Sequence, residues 1–188
     1  MIELTRGQEM ALETADGQPL TRLRMGLGWD KEPGAGFIGS GQADVDLDAT
    51  AVQFAATELF DIAFYNHLET RDGSVVHLGD NISGRGEGDD EQLTVDLGQV
   101  YPRVDSILFL VSSYQGHSLE FVRNAYCRLV AEDGEEIARF TLTEGVPRTG
   151  FMMAKMFRDG DQWRLKAIGR GVAVTVPTES LDVLARFL

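Results

Sequence analysis

The sequence has only one cysteine, Cys127, and three histidines among its 188 residues. A single cysteine excludes an internal disulfide framework and fits a reducing cytoplasm. With so few sulfur and imidazole ligands, a zinc site is also disfavoured. No apolar run reaches the ~18 residues of a membrane-spanning helix, and the N-terminus has neither the basic start nor the apolar stretch of a signal peptide. We therefore expect a cytoplasmic protein that does not insert directly into a membrane.

Basic residues are also scarce. Lysine and arginine total 17 against 30 aspartates and glutamates, which gives a formal net charge of −13. This excess of negative charge repels the phosphates of nucleic acids and the surface of anionic membranes, so we expect no nucleic-acid partner. It favours cations, or proteins with basic patches. Apolar residues make up 43% of the chain, which is enough for one domain with its own core.

The acidic residues are concentrated in two short segments, residues 44–48 and 80–91, which contain eight of the 30. Residues 77–91 hold four glycines and five carboxylates. Glycine lets the backbone turn its carbonyls inward, and crowded carboxylates repel one another unless a cation lies among them. Flexible oxygen ligands suit Ca²⁺ better than Mg²⁺, which demands octahedral geometry. The alternative for this segment is a solvated acidic turn.

The first acidic segment has aspartates at alternate positions, Asp44, Asp46 and Asp48. On a strand these three side chains share one face, which is unfavourable without a counter-charge. An EF-hand loop starting at Asp44 does not fit, because its sixth position is Ala49 rather than glycine and its twelfth is Ala55 rather than glutamate. The sequence therefore predicts a cation site assembled from separate segments.

Four Asp-Gly pairs lie between strand-like runs and predict an antiparallel β protein. They occur at 16–17, 72–73, 133–134 and 159–160. The segments predicted to pair as hairpins are 9–13 with 20–27, 60–66 with 74–78, 125–130 with 135–142, and 151–158 with 162–168. Ser118 predicts the start of a short helix, and the spacing of Leu181, Leu184 and Leu188 predicts a C-terminal helix.

Several motifs are more specific than these patterns. They are Gly-Leu-Gly-Trp-Asp at 26–30, Asp-Leu-Asp-Ala at 46–49, Phe-Tyr-Asn at 64–66, Asp-Gly-Ser-Val-Val-His at 72–77, the glycine-rich acidic segment at 79–91, Asn-Ala-Tyr-Cys-Arg-Leu at 124–129 and Ala-Ile-Gly-Arg-Gly at 167–171. Together they resemble the bacterial tellurium-resistance TerD family. The resemblance implies a mostly β fold, a β-sandwich of two largely antiparallel sheets with short helices. It covers residues 1–172 as one domain, and we expect residues 173–188 to form a helical tail packed on the same domain.

The resemblance also implies calcium at one end of the sandwich and a role in stress responses, including tolerance of tellurite. Carried over position by position, the metal ligands are Asp30, Asp46, Asp48, Asn66, Asp80, Asn81, Glu87, Asp89, Asp90 and Glu91. Ten candidates exceed what one ion needs, so we expect two Ca²⁺ ions. Backbone carbonyls of the glycine-rich segment complete the ligand set.

Three functions are compatible with such a site. The first is a non-catalytic adaptor that acts through protein partners. The second is a metal-dependent hydrolase or transferase that uses the same carboxylates, and the third is a structural stress protein that needs calcium only for stability. Cys127 shares a strand face with apolar residues and is expected in the core, as is Trp29 at the core edge. His77 is expected to be structural or to orient a metal ligand.

Overall fold

The computed structural model describes residues 1–14, 16–31, 47–79, 88–142 and 145–188. Twelve strands in these ranges form two six-stranded sheets. The strands are β1 (Ile2–Glu3), β2 (Glu9–Ala11), β3 (Arg22–Lys31), β4 (Asp48–Ala55), β5 (Glu58–Ala63), β6 (Val75–His77), β7 (Glu91–Asp96), β8 (Ser106–Ser112), β9 (Val122–Ala131), β10 (Glu136–Leu142), β11 (Gly150–Asp159) and β12 (Gln162–Val172). Within these ranges, no helix is both long and apolar enough to cross a membrane.

The first sheet has the strand order β1-β10-β9-β3-β7-β6, and the second has the order β2-β12-β11-β8-β4-β5. Neighbouring strands are antiparallel except β1 and β10, which run parallel. The β-sandwich expected from the sequence is therefore confirmed. The hairpins formed by β9 with β10 and by β11 with β12 are confirmed as well.

The main core lies between the sheets and follows from the two-residue period of the strands. Along β7, Glu91, Leu93 and Val95 are buried, whereas the residues between them are half-buried on the outer face. Cys127 belongs to this core, as the sequence predicts. Burial raises the pKa of its thiol to about 12, so the side chain is protonated near neutral pH and behaves as a small apolar residue.

A second apolar cluster covers the outer face of the second sheet. The C-terminal segment lies there as a 3₁₀ turn (Pro177–Glu179), the short helix α1 (Leu181–Leu184) and a further 3₁₀ turn (Ala185–Phe187). Leu184 is fully buried in this cluster together with Val52 and Leu110. A 3₁₀ turn also forms at Leu119–Phe121, where the Ser118 hydroxyl accepts a hydrogen bond from the Glu120 amide. Both predicted helical segments are thus present, although each is short.

Two predicted hairpins are wrong. Strands β2 and β3 lie in different sheets, because β2 pairs with β12 whereas β3 pairs with β7 and β9. Around the turn at 16–17 the chain pairs with itself only locally, through the bridge between Glu13 and Pro19 and backbone hydrogen bonds from Leu20 to Leu12 and from Thr14 to Gln18. The strands on either side of this turn then join different sheets. Likewise β5 pairs with β4, and β6 pairs with β7. Alternation identified which residues point inward, but it carried no information about which strand was the neighbour.

We expect Leu184→Ala to destabilise the protein by about 2–5 kcal/mol, because it removes a fully buried side chain and leaves a cavity under the C-terminal segment. Thermal and urea unfolding would measure the loss. Arg186→Ala is the matched control, since Arg186 lies in the same segment but is exposed, and it should change stability by less than about 0.5 kcal/mol. Equal effects of the two substitutions would contradict the packing described here.

Candidate metal-binding end of the sandwich

Several strand ends that border the acidic segments meet at one end of the sandwich, which we call the acidic end. In the first sheet, Leu27 near the end of β3 pairs with Glu91 at the start of β7. In the second sheet, Asp48 at the start of β4 pairs with Ser112 at the end of β8. The amide of Ala49 donates a 2.5 Å hydrogen bond to Glu91 Oε2, which joins the two sheets there. The segments before β4 and between β6 and β7 therefore both adjoin this end.

The structure describes the side chains of half of the predicted metal ligands. These are Asp48, Asn66, Asp89, Asp90 and Glu91. The backbone of Asp30 is described in β3, but its side chain lies outside the described residues, as do Asp46, Asp80, Asn81 and Glu87 altogether. The predicted ligand set consequently stays a prediction, and the described members show how the end of the sandwich is built.

Glu91 occupies an inward-facing position of β7, and its side chain has no exposed surface. Besides the Ala49 amide, the carboxylate contacts His77 Nε2 at 3.2 Å. His77 Nδ1 accepts a hydrogen bond from the Gly79 amide, so Nε2 is the ring atom that donates to Glu91. His77 thus orients one of the predicted acids, which agrees with one of the two roles expected for it.

Asp90 connects the start of β7 to the end of β3. Its Oδ2 accepts a 2.8 Å hydrogen bond from the Trp29 amide, and its own amide donates to the Leu27 carbonyl at 2.8 Å. Trp29 is only 5% exposed and belongs to the main core, as predicted. The two bonds of Asp90 therefore fix the end of β3, which places Trp29 at the edge of the core next to the acidic segment.

The Asp89 side chain has no exposed surface and forms a two-pronged ion pair with Arg128 of β9. The distances are 2.6 Å from Nε to Oδ1 and 3.0 Å from Nη2 to Oδ2. The Tyr126 hydroxyl also lies 3.2 Å from Asp89 Oδ1 and 2.8 Å from the Gly88 carbonyl. Because both oxygens of Asp89 are engaged, coordination of a metal by this side chain would require the ion pair to open.

The glycines of the Gly-Leu-Gly motif provide the space for these groups. A Cβ atom at Gly26 would overlap the Asp89 carboxylate, and one at Gly28 would lie 2.5 Å from the Tyr126 ring. The motif is therefore explained by close packing on the outer face of the first sheet. The roles of Tyr126 and Arg128 were not predicted, although alternate glycines in a strand are a known sign of close approach by another group.

Arg128 belongs to a chain of charges along the same face. It contacts Glu136 at 3.0 Å, and Arg139 contacts Glu136 at 2.8 Å. The hydrogen bond from Arg139, aided by Arg128 and opposed by partial burial, lowers the pKa of Glu136 to about 2. Burial, reinforced by the charge of Asp89, raises the pKa of Tyr126 to about 12. The network thus keeps Glu136 ionised and Tyr126 neutral throughout the physiological pH range.

The remaining two described candidates lie at the corresponding end of the second sheet. Asp48 is 5% exposed and immediately precedes the Ala49 amide that bonds to Glu91. Asn66 is exposed in the turn that follows β5. The ring of Tyr65 meets Tyr114 edge-on at 5.9 Å, which connects this turn to the segment after β8.

The donor chemistry of the ten candidates fits calcium, because all are carboxylate or amide oxygens. Among the described residues, no group of three or more histidine, cysteine, aspartate or glutamate side chains is arranged to hold a metal ion. Asp89, Asp90 and Glu91 instead bond to protein groups of three different elements. We call these three residues the acidic clasp, since they fix the point at which the glycine-rich segment joins β7. A metal site at this end would need ligands besides these three residues.

The comparisons with known proteins decide the family. A family model of the TerD domain matches residues 1–178. The chain belongs to the TerD family. Tellurium resistance protein TerZ of Serratia marcescens is 36% identical over 173 residues, which cover 90% of this chain and 89% of that protein. Stress response protein SCP2 of Bacillus subtilis is 32% identical, with coverage of 100% and 99%.

Solved structures of TerD relatives share the fold. The crystal structure of a homologue of telluride resistance protein (TerD) from Streptomyces coelicolor has a TM-score of 0.69 at 19% identity, and the match covers 88% of this chain and 98% of that one. The family resemblance seen in the sequence motifs is therefore confirmed, and so is the fold that it implied.

We expect the Arg128→Met substitution in this TerD-family protein to cost about 3 kcal/mol, because it leaves the buried Asp89 carboxylate without its cation. Urea unfolding would measure the loss. Arg22→Met is the matched control on the same sheet, since Arg22 is 59% exposed and pairs with Asp96 and Glu132 near the surface, where such pairs contribute at most about 1 kcal/mol.

A second substitution, Asp89→Asn, should recover part of the stability lost in Arg128→Met, because it removes the uncompensated charge. If Arg128→Met costs no more than Arg22→Met, the acidic clasp does not depend on this ion pair.

Proposed function

We propose that this TerD-family protein is a calcium-binding protein of the bacterial stress response that works in the cytoplasm as a non-catalytic adaptor. Its acidic end binds two Ca²⁺ ions and presents a surface to a protein partner. The observation that carries the proposal is the convergence at one end of strand ends from both sheets, because these ends adjoin segments that are far apart in sequence and rich in oxygen ligands.

The proposed ligands are candidate residues in the segments that adjoin these strand ends. Asp46 lies two residues before β4, Asp80, Asn81 and Glu87 lie between β6 and β7, and Asp30 is near the end of β3. Calcium accepts six to eight oxygens in forgiving geometry, which matches carboxylates supplied by separate segments. The acidic clasp fixes the start of β7, so part of the ordering needed for binding is already present before the metal arrives.

The adaptor role is supported by the surface around the acidic end. Leu78, at the end of β6, is 54% exposed, and Tyr114, after β8, is 56% exposed. These two side chains are available for contact with a protein partner, and a metal that orders the adjoining segments would alter their surroundings. The relatives named above are resistance and stress-response proteins, and none of their names describes an enzyme.

We expect calcium to raise the melting temperature. At a free Ca²⁺ concentration about 100-fold above Kd, each site adds ~2.7 kcal/mol, which corresponds to roughly 5–11 °C for a chain of this size. Differential scanning calorimetry in chelator and in millimolar calcium would measure the shift, and isothermal titration with Ca²⁺ and Mg²⁺ would give the number of ions and the preference between them.

The double variant Asp46→Asn/Asp80→Asn should lose most of the calcium-dependent shift, because it removes two anionic ligands from different segments. Asp161→Asn is the matched control, since Asp161 is exposed in the turn between β11 and β12, at the other end of the sandwich. Equal melting temperatures of the unsubstituted protein in chelator and in calcium would overturn the proposal.

A further inference from the structure

A cleft of about 600 Å³ lies at the end of the sandwich opposite the acidic end. The start of β5, the turn before β6 and the segment before β8 line it. Strand β4 runs from one end to the other, with Asp48 at the acidic end and Ala55 in the cleft. At about 3.3 Å per residue, the distance along this strand is roughly 23 Å. The cleft is therefore independent of the proposed calcium site.

Two aromatic rings form the floor of the cleft. Phe60 and Tyr101 stack with ring centroids 5.1 Å apart and planes only 9° from parallel. The guanidinium of Arg71 lies 3.9 Å from the Phe60 ring centroid. Phe60 covers one face of the Tyr101 ring, yet Tyr101 is still 42% exposed. A flat aromatic surface is thus available to a planar ligand.

Two arginines, Arg71 and Arg103, also line the cleft, and both are exposed. Among the residues that the structure describes, neither guanidinium has a carboxylate within 4 Å or a side-chain hydrogen bond. Unlike Arg128 and Arg139, which are paired with acids, Arg71 and Arg103 have guanidinium groups without an ionic partner among the described residues. Their donors remain available to an anion, and guanidinium groups suit phosphate in particular.

The cleft is held in a fixed shape by carboxylates that are turned into the protein. Asp72 accepts hydrogen bonds from the Tyr101 amide at 2.9 Å and from the Ser74 amide at 3.1 Å. Although burial alone raises the pKa of Asp72, its hydrogen bonds with Tyr101, Ser74 and Thr70 outweigh burial and lower that pKa. Asp61 accepts from the Arg71 amide at 2.6 Å. These bonds fix the backbone that carries Arg71 and Tyr101, so the site is formed without a ligand.

We propose that this arginine–aromatic cleft, formed by Phe60, Tyr101, Arg71 and Arg103, binds a nucleoside phosphate, with the base stacked on Tyr101 and the phosphate on the two arginines. The volume lies within the range of 300–1,000 Å³ that is usual for small-molecule sites. Glu58, which also lines the cleft, is an acceptor for a base amino group or a ribose hydroxyl. A nucleic-acid strand is disfavoured, because the strongly acidic chain repels a long polyphosphate.

The test is isothermal titration of the full chain with AMP, adenosine and ribose 5-phosphate, all in the presence of a chelator so that the acidic end is metal-free. We expect AMP to bind with Kd below about 1 mM and at least about tenfold more tightly than either fragment, since each fragment lacks one of the two contacts. The absence of AMP binding at millimolar concentration would overturn the proposal. So would a single-stranded oligonucleotide that binds more tightly than AMP.

Substitutions test which residue makes each proposed contact with AMP. Tyr101→Ala should weaken AMP binding about 5- to 100-fold through lost stacking, whereas Tyr101→Phe keeps the ring and should retain the affinity. Arg103→Gln should weaken AMP about tenfold or more and leave adenosine unchanged. Arg186→Gln is the control, because it removes an equal charge at an exposed position of the C-terminal segment. Equal AMP affinity in Arg103→Gln and Arg186→Gln would place the ligand elsewhere and overturn the proposal.

Discussion

The buried carboxylate of Glu91 is the group on which the acidic end of the sandwich depends. An ionised carboxylate between two sheets is costly unless it is hydrogen-bonded. Glu91 meets this requirement with the Ala49 amide from the opposite sheet and with His77 from the neighbouring strand. The same two contacts fix the start of β4 relative to β6 and β7. The strand ends that border the two acidic segments are therefore joined through one buried carboxylate.

The two preceding acids extend this arrangement in other directions. Asp90 bonds to the end of β3 through the Trp29 amide, and Asp89 lies on the outer face of the first sheet against Arg128. Three consecutive acids thus bond to three different parts of the fold. A run of three negative charges in the sequence therefore has a structural role in the described part of the fold.

The sequence predicted the elements whose causes are local. Asp-Gly turns identified the β9–β10 and β11–β12 hairpins. Alternation placed Cys127 in the core, and the frequent burial of aromatic side chains placed Trp29 at its edge. Alternation did not predict the partners of the other strands, because it identifies the face on which a residue lies and not the neighbouring strand.

Contacts between distant segments were also not predicted, because no local sequence pattern indicates them. The ion pair between Asp89 and Arg128 joins residues 39 positions apart, and no periodicity signals it. The arginine–aromatic cleft is assembled from three segments that share no motif. The family motifs include the ends of the strands that meet at the acidic end, which is why the described candidates lie near one another.

Among the described residues, the two ends of the sandwich therefore differ in chemistry, since bonded carboxylates lie at one and arginines without an ionic partner lie at the other. The most direct test of the calcium proposal is a crystal structure grown with calcium chloride and measured for anomalous scattering. We predict two calcium peaks between the end of β3, the start of β4 and the β6–β7 segment, each with six to eight oxygen ligands at about 2.3–2.6 Å. Acidic side chains spread into solvent with no peak among them would contradict the proposal.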